Sequence, residues 1–302
     1  MEERQYSLKG TATVLVFVLS AVILSCSKSS DPITSEITQT VNNESTQDAQ
    51  QDEVDDIATG QLNIADAAGR LTTASDDRVA CAQIIFGGDT TQGKKQGTIT
   101  IDFDNGPSGS ANPGGCVDPR GNTRKGSILI SWSGGRWWQV NSNVTITFSN
   151  YNINGVVING TRVLSNVTTT VGQLTWIIIS NVTSVWPDST KAMRTVTKTR
   201  LWNVSAGTVT FTQTVGDPSA ASGTDRYGKV YTVQITNPVV YSSTCSSDKV
   251  YFPVSGTKII TIDTPAKSIT IDFGSGTCDQ TFSLMYDGKT ETLTAKNDDS
   301  ND

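Results

Sequence analysis

From about residue 79 onward, apolar and polar residues alternate strictly and repeatedly. Ile99, Ile101 and Phe103 alternate with Thr100 and Asp102; Ile128, Ile130 and Trp132 with Leu129 and Ser131; Val144, Ile146 and Phe148 with Thr145 and Thr147. The same parity returns at Val209, Phe211 and Val215, at Tyr231, Val233 and Ile235, and at Ile269, Ile271 and Phe273. A period of two in β-branched and aromatic residues predicts strands with one apolar and one polar face. Asn105-Gly106, Gly134-Gly135, Asn154-Gly155, Asn159-Gly160, Asp217-Pro218 and Asp287-Gly288 punctuate the pattern, and Asn-Gly and Asp-Gly pairs favour tight hairpins. The expectation is about a dozen mostly antiparallel strands.

One stretch breaks the rule. In 194–204, Val196, Trp202 and Val204 share a face with Lys198 and Arg200. A strand polar on both faces does not suit the centre of a two-layer core, so an extended hairpin or an edge is expected there, where inward charge also blocks aggregation. Ahead of the strands, Val54, Ile57, Ala58, Leu62, Ala65 and Ala68 recur at helical spacing, predicting one or two short helices within an acidic leader, 47–77, broken near Gly60. The Ser/Thr/Asn/Asp/Glu-rich stretch before it reads as a disordered tether, 26–46.

Charge sharpens this division. Residues 27–77 carry two basic against eleven acidic side chains, net −9, whereas the whole chain of 302 residues is −6. The acidity belongs to the leader, and 78–302 is slightly positive. There is no His in the chain, which excludes Ser-His-Asp and Cys-His nucleophile systems and His-ligated zinc.

Residues 1–25 read as an export signal: Arg4 and Lys9, then an apolar run from Val14 to Leu24. The run ends Ile23-Leu24-Ser25-Cys26, which resembles a bacterial lipobox and implies acylation of Cys26 as the first mature residue. Several acyl chains anchor stably where one does not. Ser27 in place of Asp points to the outer membrane, on its periplasmic face or at the cell surface. Outside the cytoplasm thiols oxidise, and Cys81, Cys116, Cys245 and Cys278 form an even set with three pairings open.

An internal echo bears on that choice. Ile-Thr-Ile-Asp-Phe occurs at 99–103 between Cys81 and Cys116, and again at 269–273 between Cys245 and Cys278. Two disulfides, Cys81–Cys116 and Cys245–Cys278, are the simplest reading, and similar halves of about 78–190 and 191–302 follow if the echo is a duplication rather than chance Thr/Ile alternation. The lipobox, the acidic helical leader, Ile-Thr-Ile-Asp-Phe with Cys116 and the run Arg120 to Ile128, and the closing 269–279 together resemble a group of uncharacterised lipoproteins of Bacteroidetes bacteria. The resemblance implies an envelope β-protein and assigns no catalytic residue.

Candidate chemistry is sparse. Gly88 to Lys94 imitates a phosphate-binding loop, but Lys95 stands where Ser or Thr would hold magnesium and a strand follows instead of a helix. Asp102-x-Asp104-Asn105 has oxygen ligands at alternate positions but lacks a closing Glu, so a turn is expected rather than a calcium site. Arg136-Trp137-Trp138 is the most suggestive stretch: one of the two rings must face outward, and sugars or partner side chains stack on such rings. Arg120, Arg124 and Lys125 make a small basic loop beside Cys116, suited to anionic glycan. Modest charge and a lipid anchor argue against nucleic acid.

The sequence therefore predicts an all-β protein, an antiparallel β-sandwich or extended twisted sheet, preceded by a disordered tether and a short helix. Non-catalytic binding or a structural role is expected, towards glycan or an envelope protein, with no cofactor or metal. The alternatives are a glycan hydrolase working through the Asp residues of the repeated strands and an adhesin or fibre subunit adding a strand to an exposed edge.

Overall fold

A computed structural model describes residues 33–66, 76–88, 95–119, 121–170, 173–205, 208–214, 220–242, 244–245, 252–263 and 266–294. Residues 1–25, read above as an export signal, and Cys26, Arg120 and most of the Gly88–Lys94 loop lie outside them. The chain is all-β with one long helix, α1 (Ser35–Asp66). Its strands are β1 (Gln83–Gly87), β2 (Gly97–Asp102), β3 (Cys116–Val117), β4 (Thr123–Ser133), β5 (Asn143–Ile153), β6 (Val156–Asn166), β7 (Gln173–Val185) and β8 (Lys191–Ser205). They continue with β9 (Thr208–Gln213), β10 (Ala220–Thr224), β11 (Val230–Ser242), β12 (Ser255–Asp263), β13 (Ala266–Ser275), β14 (Thr281–Tyr286) and β15 (Lys289–Thr294).

All belong to one antiparallel sheet. Its order is β1-β2-β4-β5-β6-β7-β8-β10-β11-β12-β13-β14-β15, with β3 on β4 and β9 bridging β8 and β11. The alternating residues read from the sequence line one face: Ile99, Ile101, Ile128, Ile130, Ile146, Tyr231, Ile269 and Ile271 are all fully buried, and Ile178 and Ile260 join them. One continuous antiparallel sheet is consistent with both architectures expected, and its buried face packs on α1. Where strands must bend, a glycine allows it. Gly126, at φ +72°, marks the register shift between β4 and β5, and a Cβ there would lie 2.1 Å from the Asn150 carbonyl oxygen.

α1 differs from the expectation in extent and in continuity. It spans 32 residues, runs through Gly60, and begins inside the segment read as a tether. Thr34 caps it: its hydroxyl oxygen accepts from the Ile37 amide. The helix is long enough to cross a membrane but far too polar, and no described helix is long and apolar enough to do so. Ser35, Gln39, Asn42, Asp56 and Asn63 are exposed, with Thr46, Ala49, Glu53 and Gly60 half-buried on the same stripe. At 3.6 residues per turn this is one narrow face; the rest of the circumference is enclosed by the sheet.

The buried apolar side chains form two clusters, each containing one copy of the repeated strand. The first joins Val54, Ile57, Ala58, Leu62 and Ala65 of α1 to β2 and β4–β7. The second joins Ile37 and Val41 of α1 to β11–β14. Cys81 is bonded to Cys116 and Cys245 to Cys278, so each cluster has its own cross-link.

Candidate functional site

Between the two apolar clusters, α1 meets the sheet through charge. Glu44, Asp48, Asp52 and Asp55 recur at helical spacing and therefore share one face. Opposite them stand Arg162 on β6, Arg194, Lys198 and Arg200 on β8, and Lys258 on β12, all almost wholly buried. Arg194 Nη2 donates to Glu44 Oε1 and Asp48 Oδ1, each at 2.8 Å. Lys198 Nζ lies 3.1 Å from Asp48 Oδ1 and 3.0 Å from Asp52 Oδ1. Arg162 holds Asp55 through Nε at 2.6 Å, Arg200 Nη1 holds the other Asp55 oxygen at 2.9 Å, and Lys258 Nζ reaches Asp48 Oδ2 at 2.5 Å. Gln213 adds a bond to Asp52 Oδ2 at 2.9 Å.

The electrostatics follow from this packing. Burial works to raise the pKa of Asp52, but Arg200, Lys198 and Arg162 outweigh it and bring it down to about 2. Asp48 is likewise lowered, against burial, by Lys198, Lys258 and Arg194. Lys198 is drawn down to about 8 by burial, which its two aspartates only partly offset. These charges are tied to one another and form a structural belt, and they explain the polar strand. β8 is central, hydrogen-bonded to β7 on one side and to β10 and β9 on the other, and not an edge or a free hairpin. Its inward cations are matched by α1, a partner not apparent from the strand alone.

Arg124, expected on a solvent-facing basic loop, belongs to a second buried ion cluster. Its Nη2 lies 2.8 Å from Glu53 of α1 and 3.0 Å from Asp118, and its Nη1 donates to the Tyr151 hydroxyl. Its exposure is 0 %, so it is not available to a ligand. Burial pushes the Tyr151 hydroxyl up to about 12, against the pull of Arg124. Arg78 closes the neighbouring helix face on Asp56 at 2.6 Å and Asp76 at 2.5 Å.

The tryptophan pair sits at the end of the sheet reached by the β4–β5 turn. Gly134, at φ +83° with the Asn141 carbonyl oxygen 2.5 Å from a notional Cβ, lets that turn close. Trp137 is only 7 % exposed. It stacks on Trp176 of β7, centroids 6.1 Å apart at 17°, and meets Trp202 of β8 edge-on at 6.1 Å. The Ser142 hydroxyl donates to the Trp137 carbonyl at 2.6 Å, and the Asn141 amide to the Asn166 carbonyl at 2.9 Å, fastening the turn to β6. Trp138 faces outward at 40 % exposure, with the Arg136 guanidinium 5.6 Å from its ring centroid. Val140 and Val167, 51 % and 38 % exposed, lie on this and the adjoining turn.

The structure thus brings Arg136 and Trp138 together, buries Trp137 against Trp176 and Trp202, and places Arg124 in a separate buried ion cluster. Val140 and Val167 were missed because isolated valines in turns carry no periodic signal. The aspartates of the two repeated strands are occupied locally. Asp102 accepts from the Asp104 amide at 3.0 Å and from Asn105 Nδ2 at 2.8 Å, as a turn requires. Asp272 accepts from the Gly274 amide at 2.8 Å. Among the described residues no group of His, Cys, Asp or Glu is placed to hold a metal ion. No protein-family model, curated protein or solved structure matches the chain.

Proposed function

We propose that this chain is a lipid-anchored protein of the bacterial envelope and a non-catalytic glycan binder that presents Trp138 and Arg136 to its ligand. The observation that carries this reading is the outward ring of Trp138, paired with a cation and next in the chain to Trp137, which is buried and stacked on Trp176. An exposed flat ring on a rigid mount stacks on a pyranose face with little ordering cost. The hydrolase alternative gains no support from the repeated strands. Asp102 and Asp272 each cap their own turn, and eight strands lie between β2 and β13 in the sheet order.

The test is a glycan-array screen of the full-length, oxidised, detergent-solubilised protein beside Trp138→Ala. Saturable binding abolished by Trp138→Ala supports the reading. Binding that survives the substitution moves the site elsewhere, and no binding to any glycan replaces the ligand class with a protein partner. Labelling with a palmitate analogue, blocked by Cys26→Ser, tests the anchor separately.

A further inference from the structure

The first turn of α1 is pinned to the opposite end of the sheet from Trp138. Thr40 Oγ1 donates to Asp225 Oδ2 at 2.6 Å, and Glu36 pairs with Lys229 at 2.5 Å and Lys267 at 2.9 Å. Asp225 and Lys229 form the β10–β11 turn. That turn is clamped to the neighbouring β7–β8 turn by Arg226, which bonds Asp188 at 2.6 Å and lies 4.8 Å over the Trp186 ring. Beside this clamp three large apolar side chains stand in solvent: Met193 at 56 %, Tyr227 at 51 % and Val230 at 50 %. Met193 and Val230 flank Thr224 in register across β8, β10 and β11, so they occupy one outer row. Lys191, exposed and of the same parity as Met193, lies at its rim.

We propose that this end of the sheet, centred on Met193, Tyr227 and Val230, rests in the interface of the phospholipid bilayer that carries the anchor. The inference rests on acylation of Cys26. Only eight residues lead from Cys26 to Thr34, a span of at most about 28 Å when fully extended. A helix locked by ion pairs cannot pay out more chain, so the end of the sheet at the first turn of α1 is the one kept near the lipid. A phenol among aliphatic side chains, with the exposed Lys191 beside them, suits the headgroup boundary. Asp188 and Asp263 stand nearby and offset the cations, so shallow apolar insertion, not bulk charge, holds this face. β7, with 13 residues, separates the two ends by roughly 40 Å, which turns Trp138 away from the membrane.

The experiment labels the full-length protein at one cysteine with an environment-sensitive fluorophore and reconstitutes it into phosphatidylethanolamine–phosphatidylglycerol vesicles. Tyr227→Cys and Met193→Cys report on this face, Val167→Cys on the other end, and mass spectrometry of the N-terminal peptide verifies the acyl chains. A blue shift at 227 and 193 with none at 167 is the expected result. Acylated, vesicle-bound protein with all three labels in water overturns the resting face and leaves the anchor standing; a shift confined to 167 overturns the orientation. Absence of lipid on Cys26 overturns the anchor itself and this inference with it.

Discussion

α1 is held along its length in two chemically different ways. From Glu44 to Asp55 it meets five buried cations; from Val54 to Ala65 it meets an apolar cluster. Both stretches are shut off from water, but they do different work. Apolar burial is favourable in itself and tolerant of small slips. Burial of ions costs desolvation that the pairing roughly offsets, so the belt adds little net stability and instead fixes one register of helix against sheet. Removing one member separates the two cases most sharply. Asp52→Ala leaves Lys198, Arg200 and Arg162 facing a hole, and should cost about 3–5 kcal/mol in urea unfolding. Replacing the charged cluster as a whole by apolar residues of similar volume should cost far less. A small loss for Asp52→Ala would show that water reaches the belt.

The two copies of Ile-Thr-Ile-Asp-Phe extend the comparison to the ends of the sheet. Their isoleucines are equally buried, but their surroundings differ. Phe103 packs on Tyr151, beneath a cluster that receives five apolar residues of α1. Phe273 packs among Phe252 and Phe282, in a cluster that receives two. The second end substitutes its own aromatics for helix. The disulfides do not share this asymmetry: they close spans of 35 and 33 residues. In the chain-entropy model each should contribute roughly 3–4 kcal/mol, so Cys81→Ser/Cys116→Ser and Cys245→Ser/Cys278→Ser should lower stability alike. A much larger loss at the second pair would mean that its thinner helix contact leaves the disulfide to hold the lobe.

Much of this fold was legible because strand parity is a local property. The inward positions of β2, β4, β5, β11 and β13 follow from alternation alone. The belt was not legible, because its logic is divided between segments about 150 residues apart. Hydrophobic periodicity in the leader registers Val54, Ile57 and Leu62 and passes over Glu44, Asp48, Asp52 and Asp55, whose burial depends on cations on β6, β8 and β12. Yet both halves left a trace: acids at helical spacing in one segment, cations on the apolar face of a strand in the other. Each is anomalous alone, and together they describe a complementary pair. Likewise, adjacent Trp137 and Trp138 predicted one outward ring, but only the turn geometry decides which.

Acid separates the belt from the apolar stretch without mutation. The pKa of Asp52 is lowered in the folded protein to about 2, from an ordinary 3.8. Its contribution is therefore present in full above about pH 4 and is lost as the pH falls from there through about 2, an effect of about 2 kcal/mol. Asp48, lowered in the same direction by Lys198, Lys258 and Arg194, also contributes stability that acid removes. Stability should fall below pH 4, and the Asp52→Asn variant should fall less steeply. An unchanged slope in that variant would place the acid-sensitive groups elsewhere.

The smallest effect probes the ends of the helix. Ile37 and Ile57 are both 0 % exposed, one in each apolar cluster. If α1 is equally secured at both, Ile37→Val and Ile57→Val should each cost about 1 kcal/mol, the loss expected for one buried methylene. Ile37, however, lies within the first turn, where a helix has few backbone bonds of its own and depends on Thr34, Glu36 and Thr40 to stay docked. A cost near zero for Ile37→Val alone would mean that this turn opens before the sheet unfolds. In the lipid-anchored form proposed above, the spacer after Cys26 would then lengthen towards Glu44, and the proposed membrane-facing end of the sheet would stand farther from the bilayer. Equal costs keep the first turn closed and the spacer short.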